Sequence, residues 1–292
     1  MATSTTTAAA LTAEQVSTIL TKPLEQRSVF MAAGPTIFDT NGSPVRIPAM
    51  PASEQDELQW VGENELIPEV DPEFGETELL PSTMKSVKTI TRYSNELARQ
   101  SIMSLDKVLQ DRLVADVAGK IDAQFLSAEG DGITTPRGLF AYEGVEDVAV
   151  SGEFNVDTLL AAQGVALESN VDLSRLALFV RPGDLMALRG LKDADGRYLL
   201  QWDATEAGGY RVLGMNALVS AHVPEGRAAI ADMSQIAVAR DLAPTVKILT
   251  ERYADYDQQA IRVVARYDAG PLNPAGIVTM SGIGGIGGEP EA

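Results

Sequence analysis

The chain has 292 residues, no cysteine, one histidine and a formal net charge of −18. A chain this acidic repels nucleic acid, whose binding rests on neutralised phosphates, and without cysteine it forms neither disulfides nor thiolate sites. Apolar residues make up 45 % and aromatics 5 %, ordinary for a mixed α/β chain with a real core, and no apolar run approaches the roughly 20 residues of a membrane span.

The first residues, MATSTTTAAALTAEQ, lack the basic start and apolar centre of a signal peptide, and residues 1–11 read as disordered. Thr12 and Gln15 form a capping box for a short helix reaching about Thr21, which Pro23 ends. To about Pro44, turn signals (Gly34-Pro35, Asn41-Gly42) interrupt apolar residues, which predicts an extended arm. Asn41-Gly42-Ser43 matches a glycosylation sequon, a chance match in a chain without a secretion signal.

From Ile47 to Met84 there is no Lys or Arg, and residues 54–78 carry ten acids. Pro48, Pro51, Pro68, Pro72 and Pro81 stiffen the stretch. A solvated acidic loop would explain the charge, but Trp60, Val61, Leu66, Ile67, Val70 and Phe74 are too apolar for a free loop. Such a segment reads as one that docks on something.

SVKTITRY (86–93) alternates as a strand, with Val87, Thr89 and Thr91 on one face and Lys88, Ile90 and Arg92 on the other. Ser94 caps a short helix at Asn95-Glu96-Leu97. A long helix follows, with Ser104 as N-cap and Asp106 in its first turn. Leu105, Leu109, Leu113, Val117, Ile121 and Phe125 recur every four residues, a ladder that drifts around the helix and so touches more than one layer. Gly130, Gly132 and Pro136 stop it. Ser104 to Ala128 spans roughly 37 Å, enough for a spine.

Residues 142–245 mix short elements with eight basic and fifteen acidic residues. Predicted there are a helix at Val156–Glu168 capped by Asn155 and presenting Leu159, Leu160, Val165 and Leu167, a buried strand at Leu176–Val180 and a helix at Pro182–Leu191. A turn at Asp193–Gly196 and strands at Val212–Val219 and Ala228–Ala231 follow. The chain closes with strands at Val246–Thr250, Ala260–Tyr267 and Gly276–Met280, then a Gly-rich tail.

Catalytic motifs fail on context. Gly282–Gly287 satisfies G-x-G-x-x-G, but no helix follows to hold a pyrophosphate. Ser82–Lys85 and Ser104–Lys107 match S-x-x-K without the partner motifs of acyl-serine enzymes. A triad would rest on His222 alone, and one histidine without cysteine makes a nitrogen/sulfur metal site improbable. Asp193-Ala194-Asp195-Gly196 lacks the further ligands of a calcium loop. No enzyme, cofactor or metal is expected.

The order of pieces is more specific than any motif. An extended arm precedes WVGENELIPEVDPEFGETELLPSTMKS; a strand, SNELARQS, the spine and GDGITTPRGLF follow; then come ALFVRPGDLMALRGLKDADGRYLL and RVVARYDAGPLNPAGIVTM. This order resembles the major capsid protein of tailed bacteriophages from about Pro23 to Met280. The encapsulin shells of bacterial nanocompartments share the fold, and a shell enclosing a cargo enzyme is the alternative.

The resemblance implies an α+β fold with an N-terminal arm (1–44), an extended loop (45–84) lying over a neighbouring subunit, a peripheral domain (85–141 with 246–281), an axial domain (142–245) and a flexible tail (282–292). It implies a non-catalytic chain that forms pentamers and hexamers of an icosahedral virion shell around double-stranded DNA, without sequence-specific DNA binding or a membrane. Assembly in the host cytoplasm would involve a portal, a separate scaffolding protein and a decoration protein. Only about eleven residues precede the first expected helix, so scaffolding is expected to be a separate protein or dispensable. Some relatives join a loop lysine to a neighbour's asparagine; the loop here has none before Lys85, so no such cross-link is expected. Residues 85–140 hold eight basic and seven acidic residues. The expected subunit interface therefore sets Trp60, Glu63, Phe74 and Glu76 of the loop against Lys88, Arg92, Arg99, Arg112 and Lys120 of a neighbour, the aromatics adhering and the charges setting register.

Overall fold

The computed structural model describes residues 27–41, 43–49, 60–62, 75–80, 85–96, 105–150, 154–169, 171–192, 195–198, 210–241 and 245–284. The expected helix near Thr12–Thr21, the Ser104 cap and residues Glu63, Phe74 and Arg99 lie outside them. Ser28 opens a single helical turn, α1 (Val29–Ala32), its hydroxyl accepting the Met31 N–H. Strands β1 (Thr36–Thr40), β2 (Val45–Ala49), β3 (Gly75–Leu79) and β4 (Ser86–Ser94) precede the long helix α2 (Leu105–Phe125). Then come β5 (Glu146–Ala149), α3 (Val156–Glu168), β6 (Leu176–Val180), α4 (Pro182–Gly190), β7 (Tyr210–Val212) and β8 (Met215–Val219). The chain closes with β9 (Arg227–Asp232), β10 (Ile236–Asp241), β11 (Thr245–Leu249), β12 (Gln258–Pro271) and β13 (Ile277–Ser281).

These strands build two sheets and a ribbon. The first sheet runs β1-β10-β12-β11, with β4 also on β12; the second runs β5-β13-β9-β6-β8-β7; β2 and β3 pair as a separate antiparallel hairpin. The sheets cross the boundaries expected from texture: β10 joins the first sheet through Ala237↔Gly270, and β13 joins the second through Val278↔Ile230. Ile283, expected in a free tail, is buried, its N–H on the Gly226 carbonyl.

The spine fills the angle between the sheets. Leu113, Val114, Val117, Ile121 and Phe125 are buried against Ile261, Val263 and Ala265 of β12 and against Ala177, Phe179, Ala229 and Ala231 of the second sheet. Phe30 meets Phe125 edge-on with centroids 5.1 Å apart and stacks on Phe179 at 6.1 Å. The buried Asp122 carboxylate accepts the Ser28 hydroxyl at 2.6 Å and the Val29 N–H at 2.8 Å, so the spine itself holds α1 in place. The helix ends at Phe125, short of the expected Ala128, because Ser127 intervenes: its N–H bonds Gln124 O at 3.2 Å and its hydroxyl bonds the same carbonyl.

The second sheet is covered on its other face by α3 and α4, through Leu159, Ala162, Ala166, Leu185 and Leu188. With both faces covered, β6 reads as an unbroken apolar run, LALFV, buried throughout. Helix α3 has its expected bounds and a capping box between Asn155 and Thr158. Its buried face differs from the expected one: Leu159, Ala162 and Ala166 point inward, while Leu160 and Leu167 are half exposed. The single strand expected at Val212–Val219 is the β7–β8 hairpin, because Leu213 (φ 50°) and Gly214 (φ 82°) both take the left-handed region of a type I′ turn.

Candidate subunit interface

Strand β4 has only one paired edge among the described residues, on β12, and its alternation turns Val87, Thr89, Thr91 and Tyr93 inward and Lys88, Ile90 and Arg92 outward. Side chains of directly opposed residues share a face. The register Ile90↔Arg262 and Lys247↔Arg262 therefore gathers Lys88, Arg92, Arg262 and Lys247 around the exposed Ile90 on the sheet face away from the spine. None of these four cations pairs with an acid among the described residues; Arg92 lies over the Tyr253 ring, its guanidinium carbon 5.4 Å from the centroid. The Arg262 Nε is buried without a hydrogen-bond partner among the described residues. On the same strand Arg266 is already spent, on Asp241 at 2.8 Å. An acidic chain thus collects unpaired positive charge and an apolar side chain on one surface.

The other expected basic residues divide. Lys120 is exposed and lines a cavity of about 460 Å³ between β4 and the spine. Arg112 forms an i,i+4 pair with Asp116 at 3.0 Å, both well exposed, so it is partly occupied within its own helix. Lys247 and Arg262 were absent from the sequence-based set. The alternation IRVVAR at 261–266 was the available signal for Arg262; nothing local pointed to Lys247.

On the loop side, Trp60 is fully exposed and Val61 is exposed beside it. Glu76, on β3, meets Arg46 of β2 at 3.4 Å across the hairpin, an exposed pair that leaves its carboxylate accessible. The base of the hairpin packs on small residues: Leu79 and Leu80 sit on Ala237 and Ala239, with Phe38, Val45, Ile47 and Leu272 around them. A Cβ at Gly270 would come within 2.9 Å of a Leu79 methyl, so glycine sets this approach. Lys85 is buried, its Nζ donating to Asp268 at 2.6 Å. Nearby, the buried Tyr142 hydroxyl has no hydrogen-bond partner among the described residues, and burial first, then the Asp268 charge, pushes its ionisation far above the usual phenol range.

The loop after the spine is organised by one side chain. Asp131 accepts the N–H groups of Ile133, Thr134 and Thr135 and the Thr134 hydroxyl. The Thr134 hydroxyl, then these amides, hold the carboxyl well below the usual range. Among the described residues there is no cluster of three or more His, Asp or Glu suited to a metal ion, and no helix is long and apolar enough to cross a membrane.

A model of the phage capsid family matches residues 8–282. The chain belongs to the phage capsid family. A major capsid protein of Halomonas phage phiHAP-1 is 26 % identical over 196 residues, 67 % of this chain, and the chain covers 32 % of that longer relative. The capsid of a native GTA particle superposes with a TM-score of 0.71 at 16 % identity, covering 88 % of this chain and 90 % of the other. A structure from Mycobacterium phage Cain gives 0.66 at 17 % identity, covering 87 % and 90 %. One from Microbacterium phage Oxtober96 gives 0.69 at 15 % identity with the same coverage. At these identities the likeness is one of fold. The family model and the solved structures agree on the fold.

Proposed function

We propose that this chain is the major capsid protein of a phage head, closing into an icosahedral shell of pentamers and hexamers. In this reading residues 45–84 form the extended loop, the spine with the first sheet the peripheral domain, and the second sheet with α3 and α4 the axial domain; Phe30 and β1, expected in an arm, pack on the chain's own core and on β10. The mechanism is assembly without catalysis or cofactor: weak contacts repeated around closed symmetry axes add up to a stable shell. The acidic segment of one copy lies on the cationic sheet face of the next. Trp60 and Phe74 adhere, and Glu63 and Glu76 set register against Lys88, Arg92 and Arg99, with Arg112 and Lys120 flanking. Such rim pairs contribute below about 1 kcal/mol each, so apolar anchors and multiplicity supply the rest.

The observation that supports this most is the unpaired patch of Lys88, Arg92, Lys247 and Arg262 around Ile90 on a chain of net charge −18, with an acid-only segment to match it. Double-stranded DNA would be enclosed rather than gripped, since the acidic shell limits adhesion. A portal, a scaffold and a decoration protein are partners such a head can use, with assembly in the host cytoplasm.

Negative-stain electron microscopy with size-exclusion chromatography tests the reading. The parent should give closed shells or capsomer rings. The Lys88→Glu/Lys247→Glu double variant should stay small with an unchanged circular-dichroism spectrum. A parent that remains a 31.1 kDa monomer even with its scaffold co-expressed would overturn the proposal.

A further inference from the structure

Leu80 is a buried leucine with φ 52°, in the left-handed region that a branched side chain adopts only under constraint. The constraint is one carboxylate. Asp268, fully buried in β12, takes the Leu80 N–H on Oδ2 at 2.8 Å and the Lys85 ammonium on the same oxygen at 2.6 Å, while Oδ1 accepts the Ala269 N–H at 3.0 Å. Leu80 is the residue just after the hairpin strand β3 ends, and Lys85 the residue before β4 begins. A single side chain of the body therefore grips the chain where it leaves the hairpin and where it re-enters the sheet. The hairpin's other leg is held through β1, which pairs with β10.

We propose that Asp268 is a positioning residue for assembly: through Leu80 and Lys85 it sets the direction in which the β2–β3 hairpin leaves the body, and so the angle at which it meets a neighbouring copy. The proposal rests on the reading of that hairpin as a docking element. It also gives the lysine at the loop base an occupation: buried and paired, Lys85 faces Asp268 and not a neighbour.

A buried ion pair that merely stabilises is replaceable by apolar residues of similar size. Positioning is not, because an apolar side chain cannot accept the Leu80 N–H. The Lys85→Met/Asp268→Leu variant should therefore still fold cooperatively, melting only a few degrees below the parent because the Leu80 N–H loses its acceptor. Its Leu80 amide should exchange hydrogen at least about tenfold faster than the parent's, and its particles should be absent or broad in diameter. Particles of parental diameter from this variant would overturn the proposal. The parent supplies a second test that no folding defect can obscure. In the unassembled parent, the Leu80 amide should exchange as slowly as those of Ile261 and Val263 in the core of β12. Exchange as fast as in the exposed turn at Asp255 would overturn the proposal however the double variant folds. A parent that never forms particles would count against the shell reading, and the exchange measurement would still decide on the clasp.

Discussion

Two antiparallel pairings with similar sequence chemistry behave differently in this molecule. In β10–β12 the strands lie inside a sheet, and Ile236, Ala237, Val238 and Ala239 are buried on both faces. In β2–β3 one face rests on Ala237 and Ala239, while Arg46, Glu76 and Glu78 turn outward and Trp60 beyond them touches solvent completely. A two-stranded ribbon is marginal alone in water. The hairpin borrows stability from the body at its base, through Leu79, Leu80 and Asp268. The body is packed on its own core; in the proposed reading the hairpin is built for a neighbour's surface.

Substitutions in the two regions should separate fold from assembly. Phe125→Ala removes a ring packed between Phe30 and the spine's own core, and should cost about 3–5 kcal/mol in chemical denaturation of the unassembled chain. Gly138→Ala comes next: a Cβ there would sit 2.1 Å from the Ser127 carbonyl oxygen, which must move, at about 1–3 kcal/mol in the same assay. Trp60→Ala should change the stability of the unassembled chain by no more than about 0.5 kcal/mol, since the indole contacts solvent there. Its effect should appear in the particle, at about 2 kcal/mol per subunit contact, read as a lower particle melting temperature. A particle that resists heat like the parent would remove Trp60 from the interface and blur the contrast between the regions.

What could be read from the chain depended on how local the signal was. The α3 bounds, the β4 faces and the buried β6 follow from a capping box, strict alternation and an apolar run, each visible within a few residues. The β7–β8 turn was missed because Leu213 gives no warning of a positive φ, and β12 runs past the expected Tyr267 because Gly270 and Pro271, ordinary turn signals, here pair with Ala237 and Ile236. Lys85 and Asp268 lie 183 residues apart, and Lys88, Lys247 and Arg262 come together only through strand pairing. No window of sequence contains either constellation. The order of segments carried the fold; the charges that define the candidate interface needed the register.

The weakest expected effect sharpens the body's side of the comparison. Asp184 lies in the first turn of α4, buried, with Oδ2 lacking a hydrogen-bond partner among the described residues. Burial raises its pKa, and Arg181 partly opposes the rise. A carboxyl whose folded pKa is raised holds its proton more tightly folded than unfolded. Its favourable contribution is complete below the unfolded value and is lost as pH climbs through the raised one. Asp184→Asn imitates the protonated form at every pH. The variant should be slightly more stable than the parent near neutrality and equal to it in acid, so that the difference between their denaturation midpoints grows with pH across the carboxylate range. The Asp131 loop should respond in the opposite sense, since its depressed pKa makes its contribution present above the ordinary carboxylate value and lost only on strong acidification. A parent–variant difference at Asp184 that stays flat with pH would mean that the helix amides around it already satisfy the charge, and that α4 carries no electrostatic cost for burying it.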